Sequence, residues 1–200
     1  MATALAVAFV VVSCSGKLKQ ADKINLEETP VQVVSDMFAV QTKDGVVMQR
    51  IEAKIMERYE SDTLSLDKFP LGLSVFSYTA DGLLESTITA RRAEHRISKK
   101  GKEQESWSAF GNVIIRNVIK EETMQTDTIY WDRKSEQIWT DCYVKMFSRD
   151  GMMQGYGMRS DDRARNAILL NPFDGFAYTN RDTTVFVIDS ANFIGPLPNF

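Results

Sequence analysis

The sequence predicts an all-β, antiparallel fold, and three observations support this prediction. Apolar and polar residues alternate with a period of two along several segments, as in strands that bury one face. Three Asp-Gly pairs separate such segments, as tight hairpin turns do. The segments that follow these pairs resemble one another, so we expect a repeated pair of strands that stacks or rolls into one core.

The N-terminal segment differs from the rest of the chain. Leu5 to Val12 is an unbroken apolar run, and no charged residue precedes Lys17. The run is too short to span a bilayer, which takes about 20 apolar residues, but it has the length of the apolar region of a signal peptide. It ends in Val11-Val12-Ser13-Cys14, which resembles a bacterial lipobox, although no Lys or Arg precedes the run.

This pattern predicts a lipoprotein signal peptide over residues 1–13 and lipidation of Cys14. The alternative is a buried apolar strand that ends in an ordinary cysteine. Residues 14–30 are polar after Cys14 and end at Pro30, so we expect them to form the lipidated anchor and tether. Lipidation of Cys14 leaves Cys142 as the remaining thiol, and such a lone cysteine is typically a small buried hydrophobe.

Turn residues mark the repeat. Asp44-Gly45, Asp81-Gly82 and Asp150-Gly151 each begin a copy, and Glu121-Glu122 begins a degenerate one. The copies start 37, 40 and 29 residues apart, which is enough for two strands each. We expect the Asp-Gly pairs to form type I′ turns, which need positive φ at both central residues. Lys100-Gly101 is a candidate for a further turn.

Alternation assigns the strand faces. Residues 46–59 also suit an amphipathic helix by composition, but the preceding Asp-Gly turn and the parallel with the later copies favour a strand. The apolar residues that share a face within one strand are Val47, Ile51, Ala53 and Ile55; Leu84, Ile88 and Ala90; Val113 and Ile115; and Cys142, Val144 and Met146.

The C-terminal residues 171–200 are less regular. Pro172, Asp174-Gly175 and the Asn180-Arg181-Asp182 cluster predict loops. Thr183 to Ile188 is β-branched and is a candidate last strand. We therefore expect a domain over residues 31–170, followed by an extension.

The sequence offers little for catalysis or metal binding. Its one histidine, His95, lies in a charged stretch and is predicted to be a solvated surface residue. Without a second His or a nearby free Cys, a zinc site is not expected. The adjacent carboxylates of Asp161 and Asp162 suit a glycan hydrolase in kind, but the neighbouring Arg163 and Arg165 favour a solvated turn. We expect no enzyme and no cofactor, and a net charge of −3 without a basic block argues against nucleic acid.

Two glycines and the methionines leave alternatives open. Gly155 and Gly157 share a strand face, and glycine in a strand marks a bend or a close approach by another chain or a ligand. The nine methionines suit either a sliding acyl chain or an irregular core.

Four segments resemble the LptC-like family, the periplasmic components of the lipopolysaccharide-export ABC transporter. They are Gly111 to Ile115 (GNVII), Met124 to Asp132 (MQTDTIYWD), Ile138 to Asp141 (IWTD) and Gln154 to Asp161 (QGYGMRSD). The resemblance covers about residues 30–170 and is strongest over 110–170. The sequence style is closest to the lipoprotein form of Bacteroidetes-type bacteria.

The resemblance implies a fold, a task and partners. The fold is an incompletely closed antiparallel β-jellyroll, here built from repeated strand pairs. Lipopolysaccharide leaves the inner-membrane ABC transporter, enters the groove, and passes to a periplasmic bridge of similar jellyrolls that join by edge-strand pairing. Better-known members carry an N-terminal transmembrane helix where this chain shows a lipobox, so we expect a lipid anchor, with the inner membrane favoured.

Residues for a lipid groove follow from the fold and the alternation. The apolar candidates are Val47, Ile51, Ile55, Leu84, Ile88, Val113, Ile115, Ile129, Val144, Met146 and Met158. The candidates for a charged rim, for which a solvated face is the alternative, are Arg50, Arg91, Arg92 and Arg116.

Two other functions stay open at this point. One is a lipid-anchored envelope carrier or structural β-protein that is not specific for lipopolysaccharide. The other is a glycan hydrolase that uses Asp161 or Asp162.

Overall fold

The computed structural model describes residues 29–100, 104–179 and 182–189, the last as backbone only. The predicted signal peptide, Cys14 and the tether up to residue 28 lie outside the described residues, as does Gly101. The described residues form twelve strands and no helix: β1 (Gln32–Lys43), β2 (Val46–Glu60), β3 (Leu64–Phe69), β4 (Leu73–Tyr78), β5 (Leu84–Ala90), β6 (Arg92–Ser98), β7 (Gln104–Asn117), β8 (Glu122–Asp132), β9 (Gln137–Ser148), β10 (Gly151–Asp161), β11 (Ile168–Thr179) and β12 (Asp182–Asp189).

The strands form one antiparallel sheet that follows the chain order. β3 and β4 behave as two halves of one long strand, because both pair with β2. β5 and β6 do the same, because both pair with β7. Within the described residues, the sheet ends at β1, which pairs with β2, and at β12, which pairs with β11, so it does not close on itself. The predicted all-β class and incompletely closed jellyroll are confirmed.

A line of bulges crosses the sheet near the middle of its strands. Gly72 separates β3 from β4, Arg91 separates β5 from β6, and the register shifts at Gly111-Asn112 in β7 and at Gly157 in β10. The backbone φ is positive at Gly72 (104°), Gly111 (76°), Asn112 (49°) and Gly157 (78°). A bulge bends its strand and increases the local twist, so this fold line doubles the sheet over into two layers.

Each long strand contributes one half to each layer. We call "upper" the halves next to the turns near residues 44, 81, 120 and 150, and "lower" the halves at the other ends of the strands. Asn117, at the upper end of β7, donates a hydrogen bond of 3.0 Å from Nδ2 to the carbonyl of Ala164, in the turn at the lower end of β10. The two layers therefore face each other, and the hydrophobic core lies between them.

The repeat units correspond to strand pairs, since each marked turn joins two consecutive strands in the upper layer. The predicted turn type holds at Asp44-Gly45, where φ is 52° and 80°. At Asp81-Gly82 only the glycine has positive φ, 78°, so the type I′ prediction is wrong there. The connection is longer than two residues, and the Gly82 N–H donates to the Thr79 carbonyl over 3.0 Å.

Residues 46–59, for which a helix was the alternative, lie in the strand β2. Ala53 and Met56 of β2 are both buried, each with 8% exposure, although they are three residues apart. The buried side chains of β2 therefore switch from one face of the strand to the other between these two residues. Unbroken alternation predicts that Ile55 is the buried residue. The change occurs where β2 crosses the fold line, opposite Asp36 of β1, whose φ is 50°.

The sheet continues past the predicted domain boundary after residue 170. β11 includes Pro172 and Asp174-Gly175, where the sequence predicts loops, so that prediction is wrong. Pro172 is tolerated because it lies opposite Gly155 at a register shift, where a ladder hydrogen bond is already lost. β12 includes the candidate last strand, Thr183 to Ile188, and it pairs with β11 at the end of the sheet.

Candidate functional site

The inner face of the upper layer is a continuous apolar row. Each member lies directly opposite the next across neighbouring strands, and opposed side chains on one face contact each other. From β2 to β10 the row is Ile51, Val75, Ile88, Ile115, Met124, Met146 and Met153.

The lower layer faces this row with aromatic and aliphatic side chains. Trp107, Trp131 and Ile138 lie opposite one another on β7, β8 and β9. Trp107 stacks on Phe69 with 5.8 Å between ring centroids, and it makes a tilted ring contact with Trp131 with 6.0 Å between centroids. Such aromatic contacts fix ring orientation as well as burying area.

A narrow apolar space, which we call the trough, lies between these two faces. Its internal volume is about 40 Å³. The apolar side chains that line it are Ile51, Leu73, Val75 and Ile88 above, and Trp107, Ala109, Ile129 and Trp131 below. One water molecule takes about 30 Å³ of liquid volume, so the two layers must separate before an acyl chain can enter.

The trough opens at one side into a wider, charged space. Two further cavities, of about 140 and 260 Å³, share Gln49 and Trp131 with the trough. The larger one, which we call the mouth, is lined by three cationic side chains and two carboxylates. These are Lys43, Arg133 and Arg163, with Glu136 and Asp162. Three cations against two carboxylates give the lining of the mouth a formal excess of positive charge. Burial raises the pKa of the Asp162 carboxyl.

Unpaired donors lie just inside the mouth. The indole N–H groups of Trp107 and Trp131 are buried and have no acceptor among the described residues. The hydroxyl of Ser160, opposite Ile138 in the same cross-strand row, also lacks a partner there. An unpaired buried donor costs about 1–3 kcal/mol, so this row offers sites for the acceptors of a bound molecule.

His95 is part of an interior charge cluster rather than the predicted solvated surface. Its side chain is 13% exposed and stacks on Trp107 at 4.1 Å. Its Nδ1 lies 3.3 Å from Asp67 and its Nε2 lies 3.0 Å from Glu105. The surface prediction was wrong because His95 lies opposite Asp67 and Trp107 on the inner face of the folded sheet.

Asp67 is the buried carboxylate of this cluster. Burial alone would raise the pKa of its carboxyl, but hydrogen bonds from His95 and Arg58 lower that pKa to about 2. Arg58 binds it with two contacts, of 2.6 and 3.0 Å. The cluster continues to the mouth, because Glu105 also accepts a hydrogen bond of 3.1 Å from Arg133.

A second contact region, which we call the clasp, joins the two layers. Glu85 of the upper layer, with 6% of its side chain exposed, accepts hydrogen bonds of 2.5 and 3.1 Å from Arg165 in the β10–β11 turn. Arg163 lies 3.4 Å from the same carboxylate. The Asn117–Ala164 hydrogen bond lies beside this ion pair, and Ala164 is fully buried. Opposite charges thus hold the layers together at this place.

The predicted groove residues divide into two groups. The larger group belongs to the core or packs against it: Ile51, Ile88, Val113, Ile115, Ile129, Val144, Met146 and Met158. The smaller group lies outside that core. Val47 is 37% exposed near the β1–β2 turn, and Leu84 and Ile55 are half-buried. Ile55 leaves the inner face because β2 changes faces at the fold line.

The predicted rim arginines do not line the trough or the mouth. Arg50 lies with its guanidinium 4.1 Å from the ring centroid of Phe76, on the outer face of the upper layer. Arg91, Arg92 and Arg116 are exposed. The three cations of the mouth lie at the rim instead.

The close approach at the two glycines is made by the neighbouring strand. A Cβ atom at Gly155 would lie 2.6 Å from the carbonyl oxygen of Asn171 in β11. Gly157 has a positive φ, and a Cβ atom added there would lie 3.2 Å from the Leu170 side chain. β11 therefore packs against β10 where both glycines lie.

Asp161 and Asp162 have different roles. Asp161 organises the β10–β11 turn, because it accepts hydrogen bonds of 2.7 Å from the Arg165 N–H and 2.9 Å from Asn166 Nδ2. Asp162 lines both the trough and the mouth. Cys142 is half-buried and free. In the part of the chain that the structure describes, no group of three or more His, Cys, Asp or Glu residues could hold a metal ion.

Sequence reasoning missed Trp107, Trp131, Val75 and Met124 as trough or core residues. Trp131 has a sequence signal, since it follows Ile129 at a spacing of two. Trp107 has none, because serines flank it on both sides. The missing information is the register, which sets Trp107 opposite Trp131.

Comparison with known proteins identifies one family. No curated protein matches the chain. Among the described residues there is no helix of the length and hydropathy needed to cross a membrane. The family described as lipopolysaccharide-assembly, LptC-related, matches residues 2–176, and this range includes β1 to β10 and most of β11. The match covers most of the chain, and this protein therefore belongs to the LptC-related family of lipopolysaccharide-assembly proteins.

Proposed function

We propose that this protein receives lipopolysaccharide from an inner-membrane ABC transporter, holds its acyl chains in the trough, and passes it to a periplasmic bridge of similar jellyrolls. Members of its family act in lipopolysaccharide transport, in the periplasm and in association with the inner membrane. The transfer steps are the proposal. The apolar trough between the two layers is the observation that carries it.

The trough suits acyl chains by its chemistry. Each methylene that moves from water into such a space contributes about 0.8 kcal/mol, so binding needs no catalytic group. The trough is nearly filled by its own side chains, and Met146 and Met153 continue its upper row into the core. Methionine adapts to irregular apolar shapes, so these side chains can repack around a chain that enters as the layers separate.

The open ends of the sheet suit the transfer between proteins. β1 pairs on one side only within the described residues, and it exposes Val33, Phe38 and Val40. An unpaired strand edge can add the edge strand of another protein. Pairing at such an edge would align the troughs of two jellyrolls into one continuous path.

A lipid anchor at Cys14 completes the proposal. It is supported by the apolar run and the lipobox-like Val11-Val12-Ser13-Cys14. Metabolic labelling of the full chain with a tagged fatty acid should label the wild type and fail to label Cys14→Ala. Equal labelling of both chains would refute the anchor and leave the trough proposal untouched.

Lipid capture by paired positions tests the central claim. A photo-crosslinking residue at Ile88 or Trp131 should capture lipopolysaccharide in cells, because both residues line the trough. The matched controls are the adjacent positions Thr87 and Tyr130, whose side chains lie on the opposite face of the same strands. If the controls capture as much lipopolysaccharide as Ile88 and Trp131, the trough is not the binding site.

The transfer step needs its own experiment. A crosslinker at Val33 or Val40 on the free edge of β1 should capture a second jellyroll protein. The outer-face residue Gln125 of β8 is a suitable control, since it is exposed and distant from either sheet edge. Capture at Gln125 but not on β1 would contradict edge pairing.

A further inference from the structure

We infer that the mouth is a binding site for the anionic, phosphate-bearing headgroup of the lipid whose acyl chains occupy the trough. The inference rests on the proposed function and adds the orientation of the lipid and the residues that fix it. Lys43 and Arg133 are the main headgroup contacts, and the indole N–H groups of Trp107 and Trp131 bind the carbonyl groups that join the acyl chains to the headgroup.

The order of chemistry from surface to core supports this orientation. Three cations, together with the carboxylates of Glu136 and Asp162, line the mouth, into which the trough opens. The unpaired indole donors lie next, since Trp131 lines the mouth and the trough whereas Trp107 lines the trough. The deepest part is apolar. A phosphate, an ester or amide carbonyl and an acyl chain follow one another in the same order along an anionic acylated lipid.

Two of the three cations of the mouth, Lys43 and Arg133, are free to bind an anion, whereas the third, Arg163, contacts Glu85 of the clasp at 3.4 Å. Lys43 makes no ion pair within the described residues. Arg133 contacts Glu105 over 3.1 Å, but Glu105 also binds His95 Nε2 at 3.0 Å. Glu105 therefore keeps a partner when Arg133 turns to a ligand, so the exchange leaves no buried carboxylate unpaired.

Size and geometry agree with a phosphate. The volume of the mouth, about 260 Å³, corresponds to the liquid volume of roughly nine water molecules at about 30 Å³ each, which is room for a phosphate and its remaining water. Lys43 lies at the upper edge of the mouth and Arg133 at the lower edge. An anion held by both cations would join the two layers through charge-assisted hydrogen bonds.

The test compares one lipid with and without its phosphates. The full-length chain is titrated with lipid A that carries its phosphates, and with the same lipid after their chemical removal. The wild type should prefer the phosphorylated lipid. The double variant Lys43→Gln with Arg133→Gln should bind that lipid about tenfold more weakly, and should bind the dephosphorylated lipid as the wild type does.

Two further variants keep the result interpretable. Arg149→Gln removes a 75%-exposed arginine outside the mouth and should bind both lipids normally. Lys43→Arg with Arg133→Lys preserves the charge and should keep the preference. If the double Gln variant is not folded by circular dichroism, the single variant Lys43→Gln provides the same comparison at an exposed residue.

The outcomes separate this inference from the proposed function. Equal affinity of the wild type for both lipids, or an equal loss of both lipids in the double variant, overturns the headgroup site while lipid binding stands. Failure of the wild type to bind either lipid overturns the proposed function, and the headgroup site with it.

Discussion

The clasp and the mouth are two places where the upper and lower layers meet, and their electrostatics are opposite. At the clasp, the buried Glu85 carboxylate binds Arg165 across the gap. At the mouth, Lys43 and Arg133 lie on the two layers without a shared carboxylate partner. The molecule thus holds the layers together by its own charges at the clasp, to which Arg163 of the mouth lining also belongs, and leaves Lys43 and Arg133 unjoined across the mouth.

The difference indicates which parts of the molecule move when lipid enters. Because the trough is nearly filled, the layers must separate, and separation is easiest on the side of Lys43 and Arg133, which share no bond across the layers. The mouth is therefore expected to be the entry, and the clasp the hinge side. Four predictions test this comparison.

The largest effect is expected at the clasp. Glu85→Gln removes a charge that two arginines contact, so we expect the free energy of unfolding to fall by about 2–3 kcal/mol. This is somewhat less than the cost of breaking a fully buried ion pair, because both arginines are partly exposed. Urea denaturation measures the loss. The control is Glu121→Gln, which breaks an exposed pair with Arg149 and should cost under about 0.5 kcal/mol. Equal losses in the two variants would contradict a stabilising clasp.

The interior cluster behind the mouth should make stability depend on pH. The pKa of Asp67 is about 2 in the folded protein against an ordinary 3.8. A lowered folded pKa stabilises the protein above pH 4, and that stabilisation is lost as pH falls from about 4 to 2, because the unfolded chain takes up the proton first. The stabilisation is about 2 kcal/mol. Melting curves from pH 4 to pH 2 should show a smaller loss of stability in Asp67→Asn than in the wild type. Equal losses in the two proteins would show that Asp67 is not the source of the pH dependence.

The fold line sets the angle between the layers, so altering it should affect both regions. Gly157→Ala should cost about 1–2 kcal/mol, since Gly157 has φ of 78° and the Leu170 side chain lies against it. Gly45→Ala is the matched control: its φ is 80°, but nothing lies within 4 Å of an added Cβ. Thermal melts of both variants isolate the packing contribution. A Gly45→Ala loss as large as that of Gly157→Ala would show that backbone strain alone accounts for the cost.

The smallest effect on stability is expected at the mouth. Lys43→Gln with Arg133→Gln should change the free energy of unfolding by less than about 0.5 kcal/mol, because both side chains are substantially exposed. Urea denaturation of this double variant and of Glu85→Gln compares the two losses of unfolding free energy directly. A loss at the mouth comparable to that at the clasp would end the distinction between the two regions.

Local signals in the sequence predicted much of the sheet. The Asp44-Gly45 turn formed with the predicted positive φ at both residues. The alternation in β5 and β7 placed Ile88 and Ile115 on the inner face, where the structure has them opposite each other. Alternation failed for Ile55, because β2 changes faces at the fold line. It failed for His95 for another reason: the charged residues around it suggested solvent, whereas Asp67 and Trp107, distant in sequence, enclose it.

The strand class, the repeat and the apolar composition of the core could be predicted from the sequence, because turns and period-two alternation depend on neighbouring residues. The sequence also carried the motifs through which the family resemblance was recognised. The faces that enclose the trough, the position of the clasp and the cations that line the mouth depend instead on how the folded sheet brings distant residues together. Glu85 and Arg165 lie 80 residues apart. Their contact exists because a line of bulges folds the sheet, and the position of such a fold depends on the register of every strand that it crosses.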